Sequence, residues 1–205
     1  GLVGESGSGK SLTALSIMGL LPLIGGRIER GSIRFDGTEL TRLPEPELRR
    51  LRGRRIAFIT QNPMTSLDPV MRVGAQIDQV SRLHLGLDAK AAAARSIALM
   101  ERLRIPAAAT VYHHYPHELS GGMKQRIVIA MALSADPDLI IADEPTTALD
   151  VTIQAQIVQL LMELVRDRGV ALILITHDMG VVAQACDRVV VLYAGRVAES
   201  NGVEG

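Results

Sequence analysis

The chain has 205 residues, enough for one well-packed domain with room for a subdomain. Its 22 basic and 22 acidic side chains cancel, which argues against a nucleic-acid binder that relies on a strong positive field. One cysteine, Cys186, rules out an internal disulfide framework and fits a reducing compartment. No apolar stretch approaches the roughly 20 residues that span a bilayer. Hydrophobic residues make up 47% but aromatics only 2%, so the core must be aliphatic, which suits a parallel sheet covered on both faces by helices.

Along the chain, Leu2–Val3 reads as the end of a strand, and Gly9 to about Leu20 as the helix after it. Gly31–Gly37 alternates apolar and polar residues between glycines, the pattern of an exposed antiparallel strand. Arg55–Thr60 is predicted as a buried strand, and Val73–Leu85 and Ala89–Leu103 as helices. Gly121–Ser134 continues as helix and Leu139–Ala142 as strand. Val151–Arg168 is predicted as a long helix, Val170–Thr176 as a strand, Met179–Ala185 as a short helix and Asp187–Leu192 as the final strand. Strands thus cluster at the two ends, alternating with helices, while residues 63–135 are mostly helical. This predicts an α/β core with an inserted helical subdomain. The opening GLVGESG and the closing AESNGVEG show neither a signal peptide nor a terminating element, and the chain reads as a fragment of a larger subunit.

Three strings carry chemistry. Gly4, Glu5, Ser6, Gly7, Ser8, Gly9, Lys10 and Ser11 fit G-x-x-x-x-G-K-[ST]. Glycines let successive N–H groups turn inward around a β-phosphate, and the following helix offers its positive end. Lys10 is placed to reach the β- and γ-phosphates, and the Ser11 hydroxyl to ligate Mg²⁺. The apolar run Leu139–Ala142 stops at Asp143 and Glu144, which places two carboxylates at the carboxyl edge of a sheet, where ligands of such folds bind. Asp143 is the candidate Mg²⁺ holder and Glu144 the candidate general base for an attacking water. Ser120, Gly121 and Gly122, within Leu119–Met123, can cap a helix and leave its first amides uncovered, a second anion site by the same physics.

LSGG upstream of a D-E-P strand, in a chain with this phosphate loop, resembles the ABC ATPase superfamily, and the resemblance covers essentially the whole chain. It implies a P-loop NTPase (RecA-like) core with a mostly parallel sheet, a small antiparallel β part and a helical subdomain at about 63–135. It also implies ATP and Mg²⁺ as ligands and two ATP-binding domains paired head to tail. Ser120, Gly121 and Gly122 of one domain would then meet the γ-phosphate held by its partner, far from Lys10 of the same chain. Gln61 matches the family's Q-loop glutamine, which senses Mg²⁺ and water and faces the membrane subunit. Asp150 matches the loop that crosses the dimer interface, and His177 the switch histidine at the γ-phosphate.

Narrower strings, Gln61–Pro69, Tyr115–Met123 and Ala142–Gln156, resemble the ATPase subunits of bacterial oligopeptide and dipeptide importers, a group that includes nickel and some glycoside importers. Met123 stands where the wider family usually has Gln, as is typical of the group. Asn62 and Asp68 stand where Asp and Asn are expected. The group's partners are two permease subunits, a second ATPase subunit and, indirectly, an extracytoplasmic binding protein. Its place is the cytoplasmic face of the bacterial inner membrane. The aromatic residue that stacks on adenine in this family lies upstream of the phosphate loop, outside this sequence.

Other signals are expected to be structural. Arg49, Arg50, Arg52, Arg54 and Arg55 lack interleaved aromatics and read as a solvated face. His113, His114 and His117 match no metal spacing, and Met123 and Met131 read as core. A soluble ABC ATPase acting on DNA or ribosomes would carry coiled-coil insertions or a second ATP domain. A non-catalytic relative would lack one of Lys10, Asp143, Glu144 and His177. A GTPase or small-molecule kinase would lack LSGG.

Overall fold

A computed structural model describes residues 1–146 and 151–203. In chain order the strands are β1 (Leu2–Gly4), β2 (Arg34–Phe35), β3 (Thr38–Glu39), β4 (Ile56–Ile59), β5 (Leu139–Asp143), β6 (Ala171–Thr176), β7 (Arg188–Tyr193) and β8 (Arg196–Gly202). The helices are α1 (Lys10–Ile17), α2 (Glu45–Leu51), α3 (Pro63–Ser66), α4 (Val73–Leu85) and α5 (Ala89–Arg102). They continue with α6 (Ala108–Val111), α7 (Gly121–Leu133), α8 (Val151–Arg168) and α9 (Met179–Ala185). Residues 63–135 hold α3 to α7 and no strand. The chain divides into two compact units, residues 1–52 with 174–205, and residues 53–173.

In the first unit β1 is flanked by parallel neighbours, β6 through Leu2↔Ile175 and Val3↔Thr176, and β7 through Leu2↔Val190 to Gly4↔Leu192. A strand paired on both sides needs only three residues, and Leu2 and Val3 are buried accordingly. β8 runs antiparallel to β7, from Arg188↔Gly202 to Tyr193↔Arg196. The expected final strand is therefore the last but one. β8 escapes sequence reading because all seven of its residues are exposed and carry no apolar alternation. The expected strand Gly31–Gly37 is instead a short hairpin, with Phe35↔Thr38 closed around Asp36 and Gly37 at φ 48 and 76. An Asp-Gly pair with both φ positive is the two-residue turn that matches strand twist.

In the second unit β4 and β5 are parallel, from Ile56↔Leu139 to Ile59↔Ala142. Every residue of β5 is buried. The helices α4, α5 and α7 pack on one another, and α7 also covers β4. Ile77, Met100, Ile127, Leu133, Ile140 and Leu161 are fully buried, each contributing about 1.5–3 kcal/mol of apolar burial. Met123 and Met131 are only half-buried; the buried face of α7 is Gln125, Ile127, Val128, Ile129, Ala130 and Leu133. Helix ends follow their caps: Asp88 accepts from Ala91 N at 2.8 Å to start α5, and Gly86 at φ 68 stops α4.

The arginine run is not one solvated face. Arg49 and Arg50 are exposed, but Arg52 donates to the carbonyls of Met18 and Gly19 and pairs with Glu45 at 2.6 Å. Arg54 donates to the Ala135 carbonyl and Arg55 pairs with Asp138 at 2.6 Å. Planar guanidinium forks suit such multiple contacts.

One polar cluster ties three helices. Asp78 of α4 accepts from Ser96 of α5 and from the hydroxyl of Tyr112, which follows α6. Burial, and then the Asp78 carboxylate, push the Tyr112 hydroxyl up to about 12, so it remains a donor across the physiological range. The ring lies against Gly74, where a Cβ would come within 2.2 Å of Tyr112 Cδ2. The Gly74 N–H donates to the Tyr112 carbonyl at 3.0 Å, so neither can back away. Gly74→Ala is expected to destabilise the chain by about 2 kcal/mol or more despite the better helix propensity of Ala, read as a lowered Tm. An unchanged Tm would mean that the ring has room to move.

No helix of the described residues is long and apolar enough to cross a membrane.

Candidate functional site

In the first unit β1 ends at Gly4 and α1 begins at Lys10, leaving residues 5–9 as the connecting loop. Gly4 meets its neighbours too closely for any other residue. A Cβ there would stand 2.2 Å from the Leu192 carbonyl and 2.6 Å from Ser8 Oγ. Gly7 and Gly9 have φ of 79 and 103, so the loop folds back on itself before the helix starts. Lys10 is only 6% exposed and turns into the loop it follows. Its ammonium donates to the Gly4 carbonyl at 2.8 Å and the Glu5 carbonyl at 3.0 Å, using two of its three protons. Ser11 is exposed in the first turn of α1. The loop is braced from the turn between β7 and β8, where the Gly195 N–H donates to the Ser8 carbonyl at 3.1 Å. Sequence reading missed this brace, because no strand was expected after Leu192 and β8 carries no apolar alternation to announce it. Ser8 Oγ is buried without a hydrogen-bond partner.

His177 is exposed just past β6. Because Val3 pairs with Thr176, the register carries His177 to the edge at which β1 opens into the loop. Asp178, one residue on, accepts from the N–H groups of Gly180 and Val181 and so starts α9.

In the second unit the register does similar work. Ile59 of β4 pairs with Ala142 of β5, so Gln61 and Glu144, each two residues further on, emerge at one edge. There Gln61 Nε2 donates to Glu144 Oε2 at 2.9 Å. Asp143, the last residue of β5, is 7% exposed. Glu144 takes φ 44, which ends the strand abruptly before Pro145. A carboxylate at such an edge, held by a carboxamide and only half-buried, is placed to accept a proton from a water.

Ser120 caps α7, its hydroxyl accepting from Met123 N at 3.4 Å. Gly121 and Gly122 form the first turn, and a Cβ on Gly122 would lie 3.0 Å from Ile153 Cγ2, so α8 can approach closely. Just before it, Glu118 accepts from Tyr115 N at 2.6 Å and fixes the entering turn. The Tyr115 ring stacks on His117, and Tyr112 meets His113 edge-on. Asp150 lies outside the described residues. Among the described residues, no group of three or more His, Cys, Asp or Glu could hold a metal ion by itself.

The structure thus brings together the loop Gly4–Ser11 with His177 at its edge in one unit, and Gln61 with Asp143 and Glu144 in the other. A strand, a glycine-rich turn and a helix whose first lysine points into the turn define a P-loop fold of the nucleoside-triphosphate-binding class. The chain belongs to the ABC transporter family, whose model matches residues 1–147. A second model, described as an AAA domain, putative AbiEii toxin, Type IV TA system, matches residues 112–183.

The chain is 53% identical over 204 residues to the oligopeptide transport ATP-binding protein OppD of Haemophilus influenzae, covering 100% of this chain and 62% of that protein. It is 55% identical over 199 residues to OppD of Salmonella typhimurium, covering 97% and 59%. It therefore spans about three fifths of the length of these curated relatives. Among solved structures, a dimeric post-hydrolysis state of the ATP-binding cassette MJ0796 bound to ADP and Pi matches with a TM-score of 0.86. It is 28% identical, with 100% of this chain and 84% of that chain covered.

Proposed function

We propose that this chain is the ATP-hydrolysing domain of a bacterial ABC importer, powering uptake of di- or oligopeptides through partner permease subunits. The observation that carries the reading is the LSGG turn, with Ser120 capping α7, in a chain more than half identical to oligopeptide ATP-binding subunits. The phosphate loop fits a polyphosphate, since Gly4 admits no side chain and Lys10 already lies inside the turn. Ser11, Asp143 and Gln61 offer oxygen donors only, which suits Mg²⁺ held jointly with phosphate oxygens rather than in a protein cage. When bound, Mg²⁺ would neutralise charge on the β- and γ-phosphates.

In this reading residues 1–205 form one ABC-type ATP-binding domain, with residues 63–135 as its helical subdomain. Residues 4–11 hold the phosphates, Glu144 takes a proton from the attacking water, Gln61 orients that water and His177 contacts the γ-phosphate. Ser120, Gly121, Gly122 and Asp150 belong to the face that meets a second ATPase subunit, head to tail, so each ATP is shared between two chains. Binding of the shared ATP closes the pair and drives the permeases toward outward opening, and hydrolysis resets them. The protein would work as a peripheral subunit on the cytoplasmic face of the inner membrane. Substrate choice would rest with an extracytoplasmic binding protein and the permeases.

Deleting the gene is expected to abolish uptake of labelled di- or oligopeptides while leaving free amino-acid uptake intact. Unchanged peptide uptake with lost nickel or glycoside uptake would overturn the substrate assignment and spare the ATPase.

A further inference from the structure

The helix that presents Ser120, Gly121 and Gly122 is gripped at its opposite end by three arginines from three separate elements. α7 runs from Gly121 to Leu133, about 20 Å at the helical rise. At its end Leu133, Ser134 and Ala135 are all fully buried, so their carbonyls need partners other than water. Arg168, the last residue of α8, donates to the Leu133 carbonyl at 3.3 Å. Arg95 of α5 donates to the Ser134 carbonyl, and Arg54, ahead of β4, to the Ala135 carbonyl, each at 2.8 Å. Positive charge here also complements the negative end of the helix dipole.

Asp136 gathers two of the three. Its Oδ2 accepts from Arg95 and its Oδ1 from Arg168, both at 2.6 Å. Burial disfavours the Arg168 charge most, Asp136 offsets this, and the neighbouring Arg102 and Arg95 guanidiniums oppose it again. Without the carboxylate, like charges face one another across the end of α7. Asp136 holds this place at φ 50, a left-handed backbone that glycine takes more easily. The strain is tolerated where the carboxylate is used. At the far end of the helix Ser120 and Gly121 are exposed. Between the ends Ile127, Ile129 and Ala130 are fully buried, and one unbroken helix cannot tilt at Leu133 without moving Ser120.

We infer that Arg54, Arg95 and Arg168, with Asp136 between the last two, are positioning residues: by fixing the end of α7 they set where Ser120, Gly121 and Gly122 stand. The inference rests on the proposed function, in which these three meet ATP held by a second subunit. The loop Gly4–Ser11 belongs to the other compact unit. Loosening α7 therefore weakens the pairing of two subunits around ATP and spares the affinity of one subunit for the nucleotide.

The test uses the full-length subunit carrying Glu144→Gln, with ATP and Mg²⁺ as the probe. Sedimentation gives the dissociation constant of the ATP-bound dimer, and equilibrium dialysis at low protein concentration gives the ATP affinity of the monomer. Asp136→Asn keeps a residue at home in the left-handed backbone but sets an amide N–H against a guanidinium. It is expected to raise the dimer constant about tenfold or more, since misplacing a positioned group by about 1 Å can cost on the order of a hundredfold. The monomer's ATP affinity is expected to stay within about twofold. Arg95→Lys keeps the charge but cannot reach both the Ser134 carbonyl and Asp136 with one planar fork. It gives the same split if Asp136→Asn does not fold. A merely stabilising role would lower Tm and leave the dimer constant, measured well below Tm, unchanged; that result overturns the inference alone. An equal loss of ATP affinity in the monomer overturns it too. If Glu144→Gln by itself does not pair in ATP, the two-chain site falls and the inference falls with it.

Discussion

Glu144→Gln is expected to retain ATP binding and to lower turnover by at least roughly a hundredfold, because the substitution removes a proton acceptor and little else. The residue keeps its length, and its amide oxygen can still accept from Gln61 Nε2, which now bonds Glu144 at 2.9 Å. The edge formed by β4 and β5 therefore keeps its shape. ATP that binds without being hydrolysed should hold two subunits together, so the variant is expected to elute as a dimer in ATP and as a monomer after ATP is removed. Hydrolysis near the wild-type rate would remove Glu144 from the role of base.

Lys10→Ala is expected to abolish turnover, a loss of about a hundredfold at the least, and to weaken nucleotide binding measured by calorimetry. Two effects add. The ammonium is the sole positive side chain in the first 26 residues, and it ties the carbonyls of Gly4 and Glu5 at 2.8 and 3.0 Å. Removing it costs the loop both its charge and its internal tether. Lys10→Arg is not a rescue, because a side chain 6% exposed inside a tight turn leaves no room for a planar guanidinium. Activity in Lys10→Ala would show that the phosphates are held elsewhere.

What could be read from the chain was local chemistry. The phosphate loop, the cap at Ser120 and the helices at Val73–Leu85 and Ala89–Arg102 announce themselves through glycine spacing, capping residues and helical periodicity. The β2–β3 hairpin was equally available, since Asp36-Gly37 is a turn signal, but the flanking glycines suggested one strand instead. β8 was not legible, because its residues hold their place through backbone pairing to β7 rather than through apolar side chains. The bond between Gln61 and Glu144 was not legible either. It joins residues 83 apart and follows from the pairing of Ile59 with Ala142, a register set by the whole sheet. The same holds for Arg52, Arg54 and Arg55, which looked solvated in sequence and are spent on carbonyls and carboxylates.

The left-handed backbone at Glu144 sets a trap for anyone engineering this chain for durability. At φ 44 a side chain is strained by on the order of 1 kcal/mol, and glycine would relax it. A redesign guided by thermal tolerance alone would therefore accept glycine at the position proposed as the base. The resulting protein would have a relaxed turn but no bond from Gln61 and, on the proposed reading, no base. A version stabilised at this backbone angle should therefore be screened for turnover first.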